Sequence, residues 1–109
     1  MDDCIFCKIA KKELRTEFLY QDEDVVAFHD IHPVRPIHLV IIPTKHIADL
    51  INVDSPILFE KLFMVVARLV REYGLEGKGY RVVINGDGAQ IVHHLHVHLM
   101  GPINKEAKL

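Results

Sequence analysis

Tryptophan is absent, and aromatic residues make up only 7% of the 109-residue chain. No stretch approaches the roughly 18 consecutive apolar residues that suggest a membrane span, so no membrane partner is expected. There is no basic excess either: thirteen Lys and Arg stand against fifteen Asp and Glu, a formal charge of −2. That balance lacks the electrostatic footprint of a duplex-binding protein, and no nucleic-acid partner is expected. A small anionic ligand stays open, because a local site can be positive while the whole is not. The start, Met1-Asp2-Asp3-Cys4, has no basic region followed by an apolar one. It reads as no secretory leader, hence a cytoplasmic protein. Two cysteines, Cys4 and Cys7, are too few for a disulfide framework. Their C-x-x-C spacing in a reducing compartment points to metal binding or thiol redox chemistry. No repeat, linker or low-complexity segment is visible. With half its residues hydrophobic, the chain 1–109 suits a single domain with a modest core that pairing would enlarge.

The patterning that is present predicts an α+β domain with an antiparallel sheet. Residues 4–12 read as a short helix. Phe18–Tyr20 and Val25–Phe28 flank a polar turn, which makes a hairpin. His29 to Pro36 is a loop with two prolines. Ile37–Ile42 is an apolar run interrupted only by His38, as in a central strand buried on both faces. Thr44–Asn52 carries His46, Ile47, Leu50 and Ile51 at helical spacing. One long helix follows, with Ser55 as N-cap, Pro56 first in the helix and Gly74 as the stop. Its stripe is Leu58, Leu62, Val65, Val66, Leu69, Val70 and Tyr73. Tyr80–Ile84 is a further strand, and Asn85-Gly86-Asp87-Gly88-Ala89-Gln90 a turn.

That turn leads into His94-Leu95-His96-Val97-His98-Leu99, where imidazole and aliphatic side chains alternate. Period-two alternation predicts a strand with three imidazoles on one face, about 7 Å apart, and Leu95, Val97 and Leu99 in the core. His93 falls on the apolar face and is read as packing. Three chemistries fit the row: metal ligation as in strand-borne H-x-H sites, a nucleophilic imidazole with positioning neighbours, or a structural role. The glycine-containing turn beside it suggests an anion-binding concavity. Imidazoles and amides facing an anionic phosphorus centre would place nucleophile and charge stabilisation together.

The segment resembles the signature of the histidine triad superfamily, His-φ-His-φ-His-φ-φ with φ hydrophobic, as His94 to Met100. Cys4 to Ile9, Ala27 to Pro33, His38 to Ile47 and Gly79 to Asn85 are similar to other family segments, in order. The resemblance implies a sheet of about five strands with one long and one short N-terminal helix, paired into a homodimer. It also implies a hydrolase of purine nucleoside 5′-phosphoramidates, with a purine nucleotide as substrate and no organic cofactor. His96 would attack the α-phosphorus and carry the nucleotide covalently. His98 would touch the phosphate and assist the leaving group, and His38 would stand behind them. The related transferase branch carries Gln at the third histidine; His98 therefore favours hydrolysis. Asp30 matches the ribose carboxylate, and Ile5, Phe6, Ile9, Phe28 and Ile31 the purine pocket. Asn85 and Gln90 match phosphate-side amides. Cys4, Cys7, His46 and His94 resemble the four ligands of a structural zinc in some bacterial members.

The chain also departs from the pattern. Ile91 stands where Ser or Thr is usual, Ala89 where Gly is, and His93 where an aromatic is common; the 85–90 loop is short. Two alternatives stay beside the leading one: a dinucleoside polyphosphate hydrolase, and a weakly catalytic nucleotide-binding or interaction module.

Overall fold

The computed structural model describes residues 3–105. Met1 and Asp2 of the leader reading, and 106–109 of the tail, lie outside the described residues. In chain order the elements are α1 (Ile5–Ala10), β1 (Tyr20–Gln21), β2 (Val25–His29), β3 (Ile37–Pro43), a 3₁₀ turn (Leu50–Asn52), α2 (Pro56–Glu72), β4 (Arg81–Val83) and β5 (Val97–Gly101). The strands form one antiparallel sheet in the order β1-β2-β3-β5-β4. Among the described residues, no helix is long and apolar enough to cross a membrane.

The register of the central pair decides which side chains meet. Leu39 lies opposite Leu99 and Ile41 opposite Val97; His38 lies opposite Met100 and Val40 opposite His98. Cross-strand partners share a face, so the aliphatic set is on one side and His38 and His98 on the other. On the aliphatic side, α2 packs Leu62, Val65, Val66, Leu69 and Val70 against Val25, Ala27, Leu39, Ile41, Val97 and Leu99. On the other, Val26, Phe28, Val40 and Ile42 lie under Phe6 and Ile9 of α1. Both faces of β2 and β3 are therefore covered, which accounts for the nearly continuous apolar run. The six-residue α1 covers part of this face, with Phe6 against His94 and His96.

Helix α2 ends as its sequence predicts. Gly74 takes φ +66°, and the N–H groups of Gly74 and Leu75 donate to the carbonyls of Arg71 and Val70. This paired C-terminal closure satisfies carbonyls left over by the last turn. Pro56 opens the helix, while Ser55 precedes it without a side-chain cap bond.

Four expectations are corrected. Thr44–Asn52 is not a helix beyond the 3₁₀ turn, because the Ile47 carbonyl accepts the Leu95 N–H at 2.6 Å instead of serving its own segment. The histidine strand begins only at Val97. Its partner β3 ends at Pro43, which has no N–H to extend a ladder. His93 is exposed rather than packed. The hairpin strand is Tyr20–Gln21 rather than Phe18–Tyr20, although the Leu19 N–H still pairs with the Ala27 carbonyl.

Candidate active site

His94 and His96 each reach a backbone carbonyl and His98 reaches His38, and these partners fix where each proton sits. His96, 4% exposed, has Nδ1 at 2.8 Å from the carbonyl of His94. A carbonyl only accepts, so Nδ1 carries the hydrogen and Nε2 keeps its lone pair. His94 is fully buried, and its Nε2 donates to the Pro43 carbonyl at 2.9 Å. Its Nδ1 is therefore the free lone pair, 3.4 Å from Cys4 Sγ and 3.5 Å from Cys7 Sγ. His38 is reversed. The Val34 N–H donates to its Nδ1 at 3.1 Å, so the hydrogen is on Nε2, which donates to His98 Nδ1 at 2.9 Å. That leaves His98 with its own hydrogen on Nε2.

His38, His96 and His98 line one cavity of about 440 Å³, together with Phe6, Ile9, Asp30, Val40 and Asn85. The volume falls within the range of small-molecule pockets. His96 immediately precedes β5, and the His96 and His98 ring centroids are 4.9 Å apart, closer than the spacing of about 7 Å between alternate residues along a strand. Phe6 sets its edge against both His96 at 5.0 Å and His94 at 5.9 Å. Burial lowers the pKa of His98 most; His96 and His38 lower it further, and Asp30 opposes them. Burial likewise lowers that of His94, against the Pro43 carbonyl bond and with His46 and His96 adding to it.

Asp30 is held by the His32 N–H on Oδ1 at 2.8 Å. Its Oδ2 lies 3.4 Å from His38 Nε2 and 3.7 Å from His98 Nδ1. These three residues cluster tightly enough to suggest a cation. The hydrogen on His38 Nε2 argues against one, since a metal there would need the lone pair that Val34 leaves on the other nitrogen.

The other cluster suits a metal ion better. Ligand atoms of Cys4, Cys7, His46 and His94 all lie within 4.8 Å of one another, with Cys7 Sγ 3.1 Å from His46 Nδ1. Zinc–sulfur bonds of about 2.3 Å and zinc–nitrogen bonds of about 2.0 Å in a tetrahedron need such edges. The free lone pair of His94 faces the sulfurs, as coordination requires. Burial, followed by the hydrogen bond with Cys4, pushes the Cys7 thiol up, so a neighbouring cation would be what holds it as thiolate.

Not every expected residue reaches the cavity. Ile5 and Ile31 line it but are 44% and 83% exposed, which makes them rim rather than wall. Phe28 does not line it: Phe6 lies over it at 5.6 Å, and it packs with Ile9, Val26 and Val40 as core. Gln90 does not line it either. Its side chain is consumed by the Gly88 N–H at 2.9 Å and the Ala48 carbonyl at 3.3 Å. The turn before it is not an open anion cradle. Asp49 Oδ2 accepts the Asp87 N–H, and a Cβ on Gly86 would sit 2.6 Å from Asp49 Oδ1. Val34, which fixes the His38 tautomer, carried no sequence signal because its contribution is a backbone N–H. Val40 was legible as the same-face neighbour two residues beyond His38.

An imidazole whose Nδ1–H is held by a carbonyl, beside a second imidazole in a cleft, is an arrangement that can serve nucleophilic group transfer or hydrolysis. Comparison with known proteins gives the particular family. Residues 11–105 match the HIT domain family model. Protein HitA of Neisseria gonorrhoeae is 40% identical over 105 residues, 93% of this chain and 97% of that protein. The purine nucleoside phosphoramidase of Escherichia coli is 34% identical over 104 residues, 92% of this chain and 87% of that one. The crystal structure of a HIT family hydrolase from Legionella pneumophila superposes with TM-score 0.88 at 39% identity, over 94% of this chain and 95% of that one. The chain belongs to the HIT domain family.

Proposed function

We propose that this protein hydrolyses purine nucleoside 5′-phosphoramidates through a covalent nucleotidyl-His96 intermediate. One observation carries the reading: the His94 carbonyl holds the hydrogen of His96 on Nδ1, which leaves Nε2 as a nucleophile in the same cavity as His98. Attack by Nε2 on phosphorus breaks the P–N bond, and His98 Nε2–H stands ready to protonate the departing nitrogen. Water then cleaves the P–imidazole bond. His38 is a positioning residue, because it reaches the chemistry through His98. Phe6 and Ile9, with Ile5 and Ile31 at the rim, supply apolar surface for the base. Asp30 offers acceptors to the ribose hydroxyls and Asn85 an amide to the phosphate. The 34% identity to the purine nucleoside phosphoramidase of Escherichia coli supports the substrate class.

The reading includes a structural zinc on Cys4, Cys7, His46 and His94. Four protein donors leave no open position for substrate, so the metal would tie α1 to the histidine segment and take no part in the reaction. It also includes a cytoplasmic homodimer. Edge strand β4 with Val82 exposed, and Phe63 and Met64 exposed on α2, are surfaces that pairing would cover.

Ile91 favours a second reading. It is 96% exposed at the cavity and offers no hydroxyl to a leaving group, as fits a slow enzyme that chiefly binds nucleotides.

Intact mass after brief exposure to an adenosine phosphoramidate separates the two. The hydrolase gives a mass increase of one adenylate. His96→Ala should lose the adduct and turnover, by on the order of 10⁴-fold or more, while AMP binding persists. Undiminished turnover in that variant sinks the mechanism.

A further inference from the structure

We propose that Asp30 is also a positioning residue for leaving-group protonation: its carboxylate lets the His38–His98 pair hold the proton that His98 passes to the departing amine. The proposal rests on the hydrolase reading and assigns that site a second duty for Asp30 besides ribose.

Proton counting requires it. In the neutral pair, His38 Nε2–H donates to His98 Nδ1, and the Val34 N–H occupies His38 Nδ1. Were His98 to give up Nε2–H and refill Nδ1 from His38, His38 would be left as an imidazolate, with no hydrogen on either nitrogen. An acid that works at neutral pH must therefore be imidazolium at the moment of transfer. Burial lowers the pKa of His98 in the free protein, and the anionic phosphate beside it in the substrate complex joins Asp30 in favouring the charged ring. An extra proton on His98 Nδ1 would point at His38 Nε2–H, donor against donor. Among the described residues, the carboxylate acceptor near both nitrogens is Asp30 Oδ2, 3.4 Å from His38 Nε2 and 3.7 Å from His98 Nδ1. The titratable groups acting on His98 are His96, His38 and Asp30, and of these Asp30 alone favours the charged ring.

The carboxylate has room for both duties. Two oxygens offer about four lone-pair sites. The His32 N–H takes one on Oδ1, the His38 and His98 N–H groups share the two on Oδ2, and one on Oδ1 remains for a ribose hydroxyl. Binding the nucleoside thus need not displace the proton.

The step balances. His96 Nε2 bonds to phosphorus as the P–N bond breaks. The electron pair goes to nitrogen, which takes the proton from His98 Nε2 and leaves as neutral amine. His98 becomes neutral with its hydrogen on Nδ1 towards Asp30. In the second half, water attacks phosphorus, gives its proton to His98 Nε2, and restores both the imidazolium and the free His96.

Two substrates with the same nucleoside test this. An alkylamine phosphoramidate of AMP needs its leaving group protonated, whereas a 4-nitrophenyl ester of AMP does not. Asp30→Asn should lower kcat/KM for the amine substrate on the order of 10²-fold more than for the aryl ester. Equal losses on both mean that Asp30 serves ribose binding alone and overturn the proposal. Nitrogen-15 NMR titration of His98 gives an answer free of turnover. Asp30→Asn should move protonation of His98 to lower pH, and an unmoved titration overturns the proposal. If the wild type cleaves neither substrate, the hydrolase reading fails, and the titration still decides whether Asp30 supports the charged ring.

Discussion

The two sides of His96 are built from the same side chain and organised in opposite ways. On the His94 side, the ring is fully buried and surrounded by two thiols and another imidazole. Its outer nitrogen is tied to the Pro43 carbonyl, and its lone pair faces sulfur. On the His98 side, the ring borders the cavity, 2.9 Å from His38 and with the Asp30 carboxylate 3.7 Å away. Backbone groups set the difference. A carbonyl reached by one nitrogen directs the lone pair of the other, and an N–H does the reverse. One side is therefore suited to hold an ion and the other to move a proton. His96, between them, takes its own orientation from the His94 carbonyl, so the His94 side also orients the proposed nucleophile.

The largest effect expected from this contrast is on stability. Native mass spectrometry should find one zinc per chain, and a chelator should lower the thermal midpoint. Saturating zinc at a thousandfold excess over its dissociation constant adds about 4 kcal/mol. Cys7→Ser should lower the midpoint likewise and weaken AMP binding, because α1 carries both Cys7 and the cavity wall at Phe6 and Ile9. A chelator that leaves the midpoint unmoved would break the comparison on the His94 side.

A smaller and different effect is expected opposite. His98→Gln keeps an acceptor for His38 Nε2–H, since the amide oxygen can take it. It should leave the thermal midpoint near that of the parent. The amide cannot carry a proton to an amine, so kcat for a phosphoramidate should fall on the order of 10²-fold. A midpoint collapse without a rate effect would mean that the two sides do the same work.

Much of this contrast was legible in the sequence, and the limits have physical reasons. The apolar run at Ile37–Ile42 and the stripe of α2 follow from burial on two faces and on one, which composition records directly. The four sulfur and imidazole donors were found by resemblance, and folding brings them together from three segments. The pairing of His38 with His98 needed the register of β3 against β5, which periodicity alone does not supply. Phe28 and Gln90 were misplaced for a related reason. Whether an apolar or amide side chain faces a ligand or its own protein depends on neighbours far away in sequence, here Phe6 and Ala48. The role of Val34 lies in its main chain and leaves no mark on residue type.

The smallest expected effect concerns acid. Burial first, then His96 and His38, lower the pKa of His98 below its unfolded value of about 6.5. Below that pH the unfolded chain takes up a proton that the folded ring resists, so unfolding gains. The contribution of a neutral buried His98 is thus fully present above about pH 6.5 and is lost as pH falls towards the lowered folded value. His94 shifts in the same direction, with burial again the main cause. Urea midpoints measured between about pH 5 and pH 7.5 should therefore fall on acidification, and the fall should be shallower in His98→Gln. The slope that remains belongs to the His94 side, where protons also compete with a metal for the imidazoles and thiolates. It should steepen with zinc bound and flatten with chelator, whereas the His98 share should ignore zinc. A zinc-independent slope that is identical in the parent and the His98→Gln variant would show that His98 does not titrate as a buried neutral ring.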